Sequence, residues 1–189
     1  MTFETIISIC LGIGLAASVG FRVFLPLFAL SLASYFDLWA LNESWQWIGN
    51  TSALTTLGIA TIIEIFAYFI PYIDNLLDSI TLPLAALAGT VVMLSTVSDL
   101  SPIITWTLAI IAGGGSASAI AGTSSTTRLA STATTAGLAN PLFSALETGV
   151  SIVMSIISIF IPILAIILVV VILLIIFRLY KKLKKNKHK

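Results

Sequence analysis

Apolar residues run along this chain in blocks longer than a soluble helix needs, and the short polar interruptions between them define its elements. The first block, Thr5 to Phe36, holds about 32 residues, or about 48 Å as one helix against a bilayer core of about 30 Å. It therefore has to tilt or break. Gly12, Gly14, Gly20 and Pro26 are the candidate break points, with Arg22 between the last two. A break there predicts two half-length helices meeting inside the membrane. A single strongly tilted helix is the alternative.

Asp37 to Asn50 is the most polar internal segment, and its Trp39, Trp45 and Trp47 suit an interfacial loop or surface helix. Thr51 to Ile70 predicts a spanning helix interrupted by Glu64, with Pro71 closing or kinking it. Tyr72 to Ile80 carries Asp74 and Asp78 four residues apart, on one face if helical. Leu82 to Val97 is a further, rather short, apolar segment, and Ser98 to Pro102 reads as a turn. Ile103 to Ile120 forms the next, and Gly114, Ser118 and Gly122, with Gly113 and Ala117 beside them, allow close helix approach. Gly122 to Pro141 is rich in Ser and Thr, with Arg128 its only charge, and reads as a linker or as a polar stretch buried at membrane depth. Phe143 to Tyr180 overshoots one crossing, so Pro162 is expected to divide it. The pattern predicts an all-α, polytopic transmembrane bundle of about six membrane segments, with broken or re-entrant helices near Arg22 and Arg128.

Composition agrees with that class. Hydrophobic residues make up 58% and charged residues 9%, against about 25% charged in soluble domains, and the mean hydropathy is +1.11. The net charge of +1 conceals an asymmetry: residues 1–177 hold two arginines and eight carboxylates, whereas the last twelve residues hold seven basic side chains and no acid. A basic run after an apolar helix predicts a cytoplasmic C-terminus in a cytoplasmic (inner) membrane, touching anionic lipids, and no nucleic-acid partner. The division expected is a transmembrane domain over 1–180 and a basic tail over 181–189, with the N-terminal block retained as structure rather than removed as a signal.

The single Cys10 and single His188 leave no material for a disulfide framework, zinc cluster or haem site. Enzyme chemistry is poorly served too: no histidine lies in the body of the chain to act as base, and Gly113-Gly114-Gly115 lacks the lysine of a phosphate-binding loop. Neither cofactor nor metal is expected. What remains is a set of ionisable residues at membrane depth, each costing about 3 kcal/mol unless paired or wetted: Arg22, Glu64, Asp74, Asp78, Arg128 and Glu147, with Asn140 beside the second arginine's segment. The arginines either neutralise Glu64 and Glu147 as buried ion pairs, or face a cavity where planar guanidiniums clamp an anion. Sharing one site requires them to lie within about 16 Å, two Debye lengths.

Three blocks carry a resemblance to a known family: Gly14-Leu15-Ala16-Ala17-Ser18-Val19-Gly20-Phe21-Arg22-Val23-Phe24-Leu25-Pro26-Leu27; Glu64 followed by Pro71 and Asp74 to Asp78; and Arg128-Leu129-Ala130-Ser131-Thr132-Ala133-Thr134-Thr135-Ala136-Gly137-Leu138-Ala139-Asn140-Pro141. On these the chain resembles the integral-membrane family known as domain of unknown function 4126, of bacterial origin. That resemblance implies a small helical membrane protein and brings no activity or ligand. Where the family carries a basic residue between the positions matching Glu64 and Pro71, this chain has Tyr68 and Phe69.

The functional expectation is a small transporter, monomeric or homodimeric, in which Arg22, Arg128, Glu64, Asp74, Asp78, Glu147 and Asn140 line a site for an anionic solute or lipid headgroup. A proton or cation pathway through Glu64, Asp74 and Asp78 is the first alternative. A structural or assembly protein without transport is the second.

Overall fold

A computed structural model describes residues 2–70 and 73–186; the expected kink at Pro71 and the last basic residues, Lys187–Lys189, fall outside them. Among the described residues there are helices and no strands. Helix α1 (Phe3–Val19) starts from a Thr2 side-chain cap and stops at Gly20, and α2 (Phe24–Tyr35) follows after four residues. The break expected near Arg22 is therefore present, with Arg22 inside it. A Cβ on Gly20 would come within 2.6 Å of the Ala117 carbonyl oxygen, so only glycine lets this corner sit so close to the neighbouring helix.

After a short tight helix over Glu43–Gly49 come α3 (Thr51–Ala67), capped by Asn50, and α4 (Ile73–Thr96). Helix α4 runs uninterrupted through Pro83, so the two segments expected at Tyr72–Ile80 and Leu82–Val97 are one. Helix α5 (Pro102–Leu108) continues through a wide π turn at Ala109–Gly114 into α6 (Gly115–Thr135). Arg128 therefore sits in continuous helix, and the break expected around it comes later, at Ala136–Ala139, where Ala136 and Gly137 adopt φ of 54° and 83°. Helices α7 (Asn140–Phe160) and α8 (Pro162–Asn186) divide at Ile161, as the position of Pro162 predicts.

Contacts fix the directions. Along α1 and α7, Gly14 faces Ser158, Ser18 hydrogen-bonds Ser151 and Ser155, and Arg22 bonds Ser144 and Thr148, so the two helices are antiparallel. The indole of Trp39, four residues past α2, donates to the Ile159 carbonyl at 2.9 Å. Helix α2 thus returns toward the end from which α1 came, and α1–α2 is a helical hairpin with Arg22 at its tip. Helix α4 runs antiparallel to α1, from Asp74, bonded to Asn140, to Ser95, whose carbonyl accepts from the Asn42 amide at 2.9 Å. The bundle consequently has a charged end, where α3, α6 and α8 finish and α4 and α7 begin, and a tryptophan end holding Trp39, Trp45, Trp47 and Trp106.

Three continuous helices are long and apolar enough to cross a membrane, Ile73–Thr96, Pro102–Thr135 and Asn140–Phe160, and a fourth joins them if Glu43–Gly49 and Thr51–Ala67, bent by 62°, make one span. The expected six are not confirmed by this measure: Phe3–Val19, Phe24–Tyr35 and the stretch Pro162–Arg178 of α8 are shorter apolar helices, of 10–17 residues. Large apolar side chains such as Ile63, Phe66, Leu87, Ile111, Leu142 and Phe160 face outward, as lipid contact demands. Inward, α4 meets the π turn that leads into α6 at Gly89 and Gly113: a Cβ on Gly89 would lie 2.8 Å from the Gly113 carbonyl oxygen. The small-residue approach expected of this region occurs at Gly113, Gly114 and Ala117, and not at Gly122, whose added Cβ would meet only Leu82, at 3.6 Å.

Candidate functional site

Helix α7 carries the wall of the site. Its inward face repeats at helical spacing as Asn140, Ser144, Ser151, Ser155 and Ser158, all buried, while Leu142, Leu146, Val153 and Phe160 face outward. This is an amphipathic helix turned inside out, suited to lipid on one side and a polar seam on the other. Ser18 of α1 meets the seam, bonding the Ser151 carbonyl at 2.8 Å and the hydroxyls of Ser151 and Ser155 at 3.0 and 2.9 Å.

At the hairpin tip Arg22 is 1% exposed, yet its guanidinium is fully met. Nε donates to Thr148 Oγ1 at 2.9 Å, Nη2 to both the carbonyl and the hydroxyl of Ser144 at 2.8 Å, and Nη1 to the Phe21 carbonyl at 3.4 Å and Glu147 Oε2 at 3.5 Å. Arg128, equally buried, reaches the same carboxylate from α6 through Nη2 to Oε2 and Nε to Oε1, with Asp78 Oδ1 4.0 Å from Nε. Ser124 donates to Glu147 Oε1 as well. Glu147 is therefore shared by two guanidiniums and a hydroxyl.

Both guanidinium carbons also lie over one aromatic ring, that of Tyr68, at 4.1 Å for Arg22 and 4.2 Å for Arg128. They are then no more than about 8 Å apart, the sum of those distances, well inside the limit for a shared site. A ring face attracts a cation, and one Tyr68 serves two like charges that would otherwise repel across a small gap. The Tyr68 hydroxyl bonds Thr81 at 2.7 Å, which fixes the ring.

Glu64 is placed beside this centre but is occupied otherwise. Its Oε1 accepts the Val23 amide at 2.7 Å and its Oε2 the Phe24 amide at 2.9 Å, so the carboxylate closes the start of α2 at the hairpin tip. Asp74 and Asn140 form a separate pair nearer the end of the bundle: Asn140 Nδ2 donates to Asp74 Oδ2 at 2.7 Å and to Thr132 Oγ1 at 2.9 Å. They line a cleft of about 150 Å³ with Tyr68, Asn75, Thr132 and Gly137.

All seven residues singled out in the sequence therefore gather at the charged end. Arg22, Arg128, Glu147 and Asp78 form one cluster, Glu64 braces the tip beside it, and Asp74 with Asn140 lies at the mouth. Sequence reasoning missed Tyr68, Ser144 and Thr148. The serine spacing along α7 was a usable signal for the last two; Tyr68 was marked only by standing, with Phe69, where the resembling family carries a basic residue.

Several polar atoms of this region, buried from solvent, have no partner among the described residues: Asp78 Oδ2, Asn140 Oδ1, Ser125 Oγ, Ser131 Oγ and Arg128 Nη1. Ser125, Arg128 and Ser131 follow one another at three-residue steps on a single face of α6. Groups of this kind in a native protein are met by water or by a ligand. Among the described residues no group of three or more His, Cys, Asp or Glu side chains is placed to hold a metal ion.

No curated protein and no solved structure matches the chain. A family model described as Domain of unknown function (DUF4126) matches residues 9–182. With nearly the whole chain covered, from α1 through the apolar part of α8, this protein belongs to the DUF4126 family.

Proposed function

We propose that the chain conducts protons across its membrane, alone or coupled to a solute, along a hydrated carboxylate path that opens at the Asp74–Asn140 cleft and passes Asp78 to Glu147. The observation that carries this reading is the row of unpartnered buried atoms at Asp78, Asn140, Ser125, Ser131 and Arg128. Four of those five atoms can accept a hydrogen bond, and water filling the row would join the cleft to the Arg128–Glu147 pair. Charge supports it: Glu64, Asp74, Asp78 and Glu147 face only Arg22 and Arg128, an excess of two negative charges that bound protons or a cation would offset.

An anion or lipid headgroup held by the arginines is the second reading, and Arg128 Nη1 is the observation in its favour. It is the weaker one, because every nitrogen of the Arg22 guanidinium already donates within the protein.

The orientation follows from the tail. Helix α8 carries Arg178 and Lys181 to the charged end, and under the positive-inside rule this supports a cleft on the cytoplasmic face of an inner membrane with the tryptophans on the opposite one.

Purified protein in liposomes, with an internal pH dye and a potassium diffusion potential set by valinomycin, tests the pathway. Wild type is expected to pass protons well above empty vesicles and Asp78→Asn at least about tenfold less, since an amide cannot relay a proton. Flux no greater than in empty vesicles, or unchanged in Asp78→Asn, would sink the proposal. Native mass spectrometry of the same preparation, showing an anion lost from both Arg22→Ala and Arg128→Ala, would transfer the weight to the second reading.

A further inference from the structure

The cleft at which the proposed proton path opens also gathers oxygen chemistry suited to a cation. Asn140 is 2% exposed, and its amide orientation is fixed by its neighbours, because Nδ2 must face the two acceptors Asp74 Oδ2 and Thr132 Oγ1. Its Oδ1 is then left as a buried acceptor without a partner. Around the same cleft stand the Asp74 carboxylate, 3% exposed, and the Thr132 hydroxyl oxygen. Two helices, α3 and α6, also end beside it, at Tyr68 and at Ala136, presenting the carbonyl ends of their dipoles.

We infer that this cleft binds a small monovalent hard cation of the Na⁺ type, held by Asp74, Asn140 Oδ1 and Thr132. Carboxylate, amide and hydroxyl oxygens are the donors such ions select, and helix C-terminal ends serve them in broken-helix transporters. The charge matches one positive ion: Asp74 is the single carboxylate lining the cleft, while Asp78, one helical turn further in, faces Arg128. The volume of about 150 Å³ holds the ion with part of its hydration shell, at about 30 Å³ per water. Resting on the proposed pathway, this inference makes the cleft its entry site, where the cation is the coupling ion or a competitor of the proton.

Thermal unfolding of the detergent-purified full chain, in NaCl against choline chloride at constant ionic strength, reads binding without transport. Wild type is expected to gain roughly 5–10 °C at a hundredfold excess of Na⁺ over its Kd. Asn140→Ala should lose the gain, and Thr132→Val, nearly isosteric and less exposed to misfolding, should shift its midpoint severalfold to higher Na⁺. Equal curves in the two salts, or a Na⁺ gain kept in full by Thr132→Val, would overturn the cation site. Proton flux persisting beside equal curves would locate the failure here and leave the pathway standing; absent flux beside a Na⁺ gain would do the reverse.

Discussion

Glu64 shows how a buried acid can have a structural occupation that its sequence context conceals. With both oxygens on amides of the hairpin tip, it does for α2 what an N-cap side chain does for a surface helix, but from another helix. Glu64→Ala leaves two buried N–H groups unmet and is expected to cost about 3 kcal/mol of stability, whereas Glu64→Gln, which still accepts with one oxygen, costs about 1 kcal/mol. Denaturant unfolding of the two variants in detergent checks the order; equal stabilities would refute the capping role. The sequence marks Glu64 as a buried acid, and it is buried; its partner was illegible because a backbone amide leaves no trace in residue identity. The role of Tyr68 is hidden for a related reason: an aromatic in an apolar run does not reveal that two guanidiniums lie over it.

Among elements, the hairpin and α6 differ in how far they could be read. The break at Arg22 was legible because glycine and proline punctuate an apolar run too long for one crossing. Helix α6 was legible only in part, since its Ser and Thr left both a linker and a polar stretch buried at membrane depth open. In the fold those hydroxyls turn back onto their own helix: Thr123, Thr126, Thr127, Thr134 and Thr135 each donate to the carbonyl four residues earlier. They satisfy themselves without water, and the helix persists into polar composition. The α4–α6 contact gives a test at this scale. Gly113→Val would drive side-chain atoms into the Gly89 backbone and is expected to cost upwards of about 2 kcal/mol by overpacking. Gly122→Ala meets only Leu82 and is expected to be neutral or stabilising by up to about 1 kcal/mol from helix propensity. Melting temperatures of the pair decide it, and a stable Gly113→Val protein would contradict the close approach.

For the whole molecule, the α1–α2 hairpin returns to the end it came from and five passes follow it, α3, α4, α5–α6, α7 and α8, so the two ends of the described chain lie at opposite ends of the bundle. In a Cys10→Ala background, Asn75→Cys at the charged end is expected to react with a membrane-impermeant maleimide only from the cytoplasmic side, and Ser101→Cys, at the start of α5, only from the other. Labelling of both from one side would break the topology. The placement of the four tryptophans carries an optical consequence. All of them lie at the end away from Arg22, Arg128 and Glu147, so intrinsic emission is a one-sided reporter: brominated lipids in one leaflet should quench it and those in the other should not. Events at the ion pairs, including proton or cation uptake, will pass unseen in tryptophan fluorescence unless the bundle transmits them along its full length.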